Sequence, residues 1–468
     1  MATAKEKEEI FIRRLKENNS HLWSRYCEIV SHETMSREEL FAYNFQKRKE
    51  MIKWAYDHTR FYHELYAKNG ICPDDVRSEE DWKRLPIVTK QMLKEHLAEF
   101  CIEDGQSELF KKYAFKTASG GSTGKPVAFY VDRREYAHLA PLDRYRTMGW
   151  WCGRQLGQVL ATEPILGQNI ASIERFNYVK QFKNPRIRAL AAKQMSPTEW
   201  ITMDLYDMGD ENTLKRFNDQ ANAAGVFSMS AYTGVLEDIA RKYISGELVR
   251  KYTPRFLTLA ATPLTAIGRK VIEEGFGCKV CDVYGSNEIP IVATECPSSG
   301  HSLHVSWDMR HLDIVDEALM PVACGVEGAV LVTDFTNFVM PFIRYALGDR
   351  TKFENHACDC GLPFPLIAPV KGRESDYLET KTGERIQGVC CTFDEHPDCA
   401  LRYQFVQHAP GRVTLRVVPD KTCAGYKEEI ELVFNELRHT AGDRIDYDLQ
   451  YVDEIPHDGG KIRFIVYE

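Results

Sequence analysis

The sequence contains no apolar run approaching the ~18 residues that a membrane-spanning helix needs. Its N-terminus, Met1-Ala2-Thr3-Ala4-Lys5-Glu6-Lys7-Glu8-Glu9, lacks the apolar core of a signal peptide. It has no surplus of positive charge: 60 Lys and Arg stand against 68 Asp and Glu, a formal net charge of −8. That balance argues against a nucleic-acid-binding surface as the main business. There is no convincing nucleophile–base pair of hydrolase type. Internal repeats and low-complexity linkers are missing too. Cysteine is not scarce, at 14, but in 468 residues without an export signal this number does not make a disulfide scaffold. A cytoplasmic protein with mostly reduced thiols, no membrane partner and no nucleic-acid partner is expected.

What is there is ordinary for a globular protein: 44 % hydrophobic and 27 % charged residues. The length exceeds the ~250–300 residues that one hydrophobic core supports, so two or three domains are expected. Residues 5–70 read as amphipathic helices, with Phe11, Ile12, Leu15, Leu22 and Tyr26, then Met51, Trp54, Ala55, Phe61 and Leu65, as core faces. Ser78 and Thr89 look like helix caps. Between residues 210 and 284, helical segments (214–224, 236–243, 266–274) alternate with apolar strands (225–230, 256–261, 278–284). That alternation points to a parallel, doubly wound α/β sheet, which binds ligands at the C-terminal ends of its strands. From about residue 310 the chain is β-rich, and the last hundred residues read strand–helix–strand, a small α+β domain. The fold class expected is α/β, with a large N-terminal domain at 1–371 and a small mobile α+β domain at 372–468.

The stretch most suited to chemistry is Ser119-Gly120-Gly121-Ser122-Thr123-Gly124-Lys125-Pro126. Glycines let the backbone approach a ligand, and N–H groups, hydroxyls and Lys125 suit phosphate. A plain surface turn fits equally well, and Pro126 after the lysine departs from the P-loop of nucleoside triphosphatases. Four further motifs follow. Asp282-Val283-Tyr284-Gly285-Ser286-Asn287-Glu288 places a carboxylate past a strand end, where Mg²⁺ on phosphates wants a hard oxygen ligand. Pro341-Phe342-Ile343-Arg344-Tyr345-Ala346-Leu347-Gly348-Asp349 ends in an Asp able to accept from ribose hydroxyls. Lys371-Gly372-Arg373-Glu374-Ser375-Asp376 and Gly459-Gly460-Lys461-Ile462-Arg463 complete the set.

In this order and at these separations the motifs resemble the adenylate-forming superfamily of acyl- and aryl-CoA ligases. The likeness is strongest to the phenylacetate–CoA ligase family with its CapK-like and coenzyme F390 synthetase-like branches. Phe61-Tyr62 and Trp82-Lys83-Arg84-Leu85-Pro86-Ile87-Val88-Thr89-Lys90 look like that family's N-terminal signature, so the resemblance spans nearly the whole chain. It implies that Ser119 to Lys125 hold the β- and γ-phosphates of ATP and that Ala261 and Thr262 lie along adenine. It implies that Tyr284, beside Gly285, packs on adenine, that Glu288 binds Mg²⁺ and that Asp349 holds the ribose. Arg373 would contact ribose or phosphate at the hinge, and Lys461 would contact the carboxylate and α-phosphate during adenylation. The implied activity is ATP-dependent, AMP-forming ligation of an aromatic or otherwise apolar carboxylic acid, with CoA as acceptor and the small domain turning between the two steps. An amine or carrier-protein acceptor, or a non-catalytic nucleotide-binding relative, are the alternatives. Oligomeric state stays open, a homodimer included. The chain departs from the family at Asn287, where Ser or Thr is usual, and at Tyr345-Ala346-Leu347-Gly348, where one positive charge is lost.

The cysteines divide in two. Cys296, Cys358 and Cys360, with His304 or His301, offer three thiols and an imidazole, the donor set of a closed structural Zn²⁺ site. Free surface thiols are the competing reading. The resemblance favours His304 over His301. Cys278 and Cys281 fall in a predicted strand, point to opposite faces and read as small buried hydrophobes. Trp150-Trp151 reads as core.

Overall fold

The computed structural model describes residues 20–118, 127–134, 146–147, 149–151, 170–174, 201–204, 211–260, 263–370, 377–383, 385–387, 399–455 and 463–468. Contacts divide the chain into two compact units. The first comprises residues 1–167, 177–199 and 282–369, and the second 168–176, 200–281 and 370–468. Among the described residues no helix is long and apolar enough to cross a membrane.

In the first unit the helices Ser20–His32, Arg37–His58 and Arg60–Lys68 come before any strand. Ser36 starts the second with a reciprocal cap: its hydroxyl accepts from Glu39 N, and Glu39 returns a carboxylate to Ser36 N. Thr59 ends that helix and caps the next. Three antiparallel strands, Arg310–Val315, Gly328–Asp334 and Tyr345–Thr351, form one sheet of this unit.

The helices and the signature residues dock on that sheet through buried polar bonds. Asn44 Nδ2 donates to the Trp307 and Arg310 carbonyls at 2.6 and 2.9 Å, and Trp82 Nε1 donates to Asp313 at 3.1 Å. Tyr62 OH donates to Pro341 O at 3.2 Å and accepts from Ile343 N at 3.0 Å. Val88 is stitched into the strand Tyr345–Thr351, donating to Arg344 O and accepting from Ala346 N. The N-terminal signature is thus a clamp on the strand that carries Asp349. Arg344, at its head, has φ 47° while being 1 % exposed. This left-handed conformation is uncommon for a side chain of its size. Bonds from its N–H to Thr333 Oγ1 (2.9 Å) and from Nη1 to Trp82 O (2.9 Å) hold it there.

In the second unit the strands Ile201–Asp204, Ile170–Glu174, Ser228–Tyr232 and Phe256–Ala260 lie parallel in that order. The helices Glu211–Ala224, Thr233–Ser245 and Ala266–Phe276 alternate with them, as the apolar pattern predicts. Ala171, Ile173, Met229, Leu236, Ile239, Leu257, Leu259 and Phe276 make the core between. Cys281 is fully buried, and Cys278, just before the strand Lys279–Tyr284, packs partly buried on the same core. Burial pushes the Cys278 thiol up to about 12.

The same unit contains the C-terminal segment. Its sheet runs Asp446–Tyr451, Arg412–Pro419, Ala400–Ala409, Ile465–Tyr467, and the helix Tyr426–Ala441 covers it. The longest strand, Ala400–Ala409, is missing from the strand–helix–strand reading of the sequence. Its burial is continuous from Arg402 to Gln407 and includes polar residues, so no period-two pattern marks it.

Candidate nucleotide site and cysteine–histidine cluster

The predicted site residues on the first unit come together on two adjoining backbones. The strand Lys279–Tyr284 ends in a tight loop. Ser286 N donates to Ile289 O, Ile289 N to Ser286 Oγ, and Val292 N to Tyr284 O. A Cβ on Gly285 would stand 2.6 Å from Ile291 N, so only glycine fits there. Ile291 itself has φ 52°, an outlier for a β-branched residue. Strained residues of this kind persist only where the surrounding contacts impose them, and they cluster at ligand sites. The loop presents Glu288, whose side chain is 5 % exposed.

Two expected nucleotide contacts touch each other. Tyr284 OH donates to Asp349 Oδ2 at 2.9 Å, and both residues are buried. Asp349 lies 65 residues further on, next to Gly348. Lys90 Nζ stands 3.3 Å from Glu288 Oε1. That pairing is not part of the sequence reading, although Lys90 belongs to the quoted signature. The Tyr345 phenol is buried as well; burial and then the Glu288 charge push its pKa up, so it stays protonated. Among the described residues the local result is a carboxylate with a lysine beside it and a phenol that feels its charge, in a shielded place where charge counts for more. Ser119, Gly120, Gly121, Ser122, Thr123, Gly124, Lys125, Ala261, Thr262, Arg373 and Lys461 lie outside the described residues.

Cys296, His304, Cys358 and Cys360 converge, with their ligand atoms all within 4.8 Å of one another. Cys296 Sγ is 3.5 Å from Cys358 Sγ, and Cys360 Sγ is 3.2 Å from His304 Nε2. The short strands Ala293–Glu295, Leu303–Val305 and Leu366–Ile367 set this up, pairing Thr294 with His304 and His304 with Leu366. His304 Nδ1 lies 3.1 Å from Phe364 O. As a donor to that carbonyl it leaves the Nε2 lone pair facing the thiols, the tautomer a metal needs. Gly361 closes the Cys-x-Cys turn at φ 78°, and Leu362 N donates to Cys360 Sγ. The bond from Cys360 and the nearby His304 draw the Cys296 thiol well below its usual range, which favours a thiolate there. His301 stands apart, 2.8 Å from Glu295 Oε1.

The tryptophans expected in the core pack on this cluster. The Trp150 ring meets the His304 ring at 5.6 Å, and Trp151 Nε1 donates to Glu295 O. Arg146 covers Trp150 and Phe364 and pairs with the buried Asp308 at 2.7 Å, which His32 also contacts. Burial alone would raise the Asp308 carboxyl, but Arg146 and His32 hold it well below the usual carboxylate range. Nothing in the local sequence around Asp308 marks this pairing, which joins residues far apart in the chain.

Comparison with known proteins agrees with the geometry. The family model of the CapK C-terminal domain matches residues 378–468. Protein CapK of Staphylococcus aureus is 23 % identical over 441 residues, 92 % of this chain and 89 % of that protein. A phenylacetate-coenzyme A ligase of Thermus thermophilus is 25 % identical over 350 residues, 74 % of this chain and 73 % of its own. Among solved structures, 2-hydroxyisobutyryl-CoA ligase in its postadenylation state, in complex with 2-HIB-AMP, matches with a TM-score of 0.74 at 19 % identity, covering 93 % of this chain and 91 % of that one. The chain is therefore a homologue of the phenylacetate–CoA ligases and of CapK, with a CapK-type C-terminal domain and the fold of the adenylate-forming CoA ligases.

Proposed function

We propose that this protein is an ATP-dependent, AMP-forming ligase that joins a carboxylic acid to CoA. The observation that carries the reading is the Tyr284–Asp349 hydrogen bond, beside a strained loop that presents Glu288. An aromatic ring, a carboxylate for the ribose and a hard oxygen ligand lie on adjoining backbones of one unit. Relatives named as CoA ligases over most of the chain support the same reading.

In the first step the acid's carboxylate oxygen attacks the α-phosphorus of ATP, and the bond to the β-phosphate oxygen breaks. Pyrophosphate leaves and an acyl adenylate remains. The acid is already ionised, so no general base is needed. The protein's task is alignment and charge neutralisation. Tyr284 packs on adenine and steadies Asp349, which holds the ribose hydroxyls. Ser119 to Lys125 grip the outer phosphates, Ala261 and Thr262 border adenine, Arg373 sits at the hinge, and Lys461 bridges carboxylate and α-phosphate. In the second step the CoA sulfur attacks the acyl carbonyl and AMP leaves. The domain of residues 372–468 moves between the steps.

Glu288 fits a Mg²⁺ ligand: it is a buried carboxylate, and the Lys90 ammonium beside it is carried on a long, part-exposed side chain. Mg²⁺ bound there would neutralise phosphate charge. Cys296, His304, Cys358 and Cys360 fit Zn²⁺, with a correctly oriented tautomer and all four positions filled by protein. Such an ion would be structural, tying the strands Ala293–Glu295 and Leu303–Val305 to the Cys358–Gly361 turn. The free thiols and acidic balance suit the cytoplasm. The test of the function is acid-dependent exchange of labelled pyrophosphate into ATP across a panel of aromatic and apolar acids. Exchange with at least one acid is expected, and none across the panel would refute the reading.

A further inference from the structure

Arg402 is a buried cation on the long strand Ala400–Ala409, at 9 % exposure. It faces two successive acids of the helix Thr233–Ser245. Nη2 donates to Asp238 Oδ1 at 2.8 Å and Nε lies 3.4 Å from Glu237 Oε1. Nη1 donates to Ile455 O at 2.9 Å. From the helix side Arg241 reaches back, pairing with Glu237 and donating to Leu401 O. Ile267, from the helix Ala266–Phe276, packs against the C-terminal core.

The chemistry of this contact matters. A permanent seam between domains is usually apolar, whereas domains that move meet through smaller, more polar surfaces. Burying ions costs desolvation that their attraction roughly repays. An ion-pair seam therefore holds a defined geometry without a large net binding energy. Once separated, each charge returns to water, so undocking leaves no buried orphan. Such a contact selects one pose and still lets go.

We propose that Arg402 is the catch by which the C-terminal domain docks reversibly on the helix Thr233–Ser245, through Glu237 and Asp238, and that it stabilises one of two working poses. Arg402 is a positioning residue, not a catalytic one. The part concerning half-reactions rests on the two-step ligase reading; the docking part does not.

The test uses the full chain carrying Arg402→Gln, Asp238→Asn or both. Asp238 is partly exposed, and Arg241 still pairs Glu237 when Arg402 is gone, so these variants are expected to fold. Two readouts are taken: amide hydrogen exchange in Thr233–Ser245 and Ala400–Ala409 without substrates, and the two half-reactions separately. The half-reactions are pyrophosphate exchange and transfer from preformed acyl adenylate to CoA. Each single variant should speed amide exchange in both segments. Each should also shift the ratio of the half-reaction rates by about tenfold, a typical coupling for contacting charges, and the double variant should go little further. Equal loss of both half-reactions, an unchanged ratio, or additive effects on amide exchange would overturn the proposal. If the unaltered chain performs neither half-reaction, the ligase reading falls, while non-additive amide exchange still supports the docking.

Discussion

Replacing Tyr284 by Phe isolates one hydroxyl. The ring that would pack on adenine is kept, and what is lost is the 2.9 Å bond to Asp349 Oδ2. Asp349 is 8 % exposed, so water replaces that donor poorly. A hydrogen bond to a charged group contributes about 1.5–3 kcal/mol. If half or more of that serves to hold Asp349 toward the ribose, KM for ATP in pyrophosphate exchange rises roughly three- to a hundredfold, at about 1.4 kcal/mol per decade. The maximal rate should change far less, because the hydroxyl acts on binding rather than at the α-phosphorus. The sharper readout is selectivity. The unaltered protein should prefer ATP to 2′-deoxy-ATP, and Tyr284→Phe should narrow that preference. A variant with unchanged KM and unchanged selectivity, alongside an Asp349→Asn variant that loses both, would show that Asp349 needs no support from Tyr284 and would refute the reasoning.

Three further outcomes follow from the geometry. Glu288→Gln keeps the loop's shape but loses a charge, so pyrophosphate exchange should fall by about a hundredfold or more and need more Mg²⁺; an unchanged Mg²⁺ titration would remove Glu288 from the metal's shell. Purified protein should carry one Zn²⁺ per chain by elemental analysis, and Cys360→Ser or chelation should lower its thermal midpoint; absence of stoichiometric metal would leave the cluster as plain thiols. Burial alone would raise the Asp313 carboxyl, but the His311 and Arg344 charges and the Trp82 bond hold it at about 2, below the ordinary 3.8. Its contribution to stability is therefore full above the unfolded-state value and is lost as pH falls from 3.8 toward 2. Asp313→Asn should flatten that part of an acid titration followed by tryptophan fluorescence, and an unaltered titration would contradict the assigned cause.

What the sequence made legible was decided locally. Ser78 and Thr89 cap helices because a hydroxyl reaches the N–H three residues on. The helices and strands between 211 and 284 follow from apolar spacing, and the Gly285 loop from a glycine that steric contact demands. The three cysteines of the Cys/His cluster could be named because metal ligands come from a short list of side chains, whereas the choice of His304 over His301 came from the family resemblance. What was hidden depends on partners far away in the chain. Lys90 meets Glu288, Arg146 meets Asp308 and Arg402 meets Glu237, and no local pattern records any of these pairs. The strand Ala400–Ala409 escaped because buried Arg402, Gln404 and Gln407 break its apolar signature, and their bonds to Asp238, Arg463 O and Glu379 O explain why they are inside. Residues chosen for contacts across the fold look, in sequence, like exceptions to it.

The measurement closest to the central claim is pyrophosphate exchange by the unaltered protein and by Lys461→Ala, run beside transfer from preformed acyl adenylate to CoA. The account predicts exchange with at least one acid, loss of exchange in the variant, and transfer that survives the substitution. No exchange with any acid at saturating ATP and Mg²⁺ would contradict it.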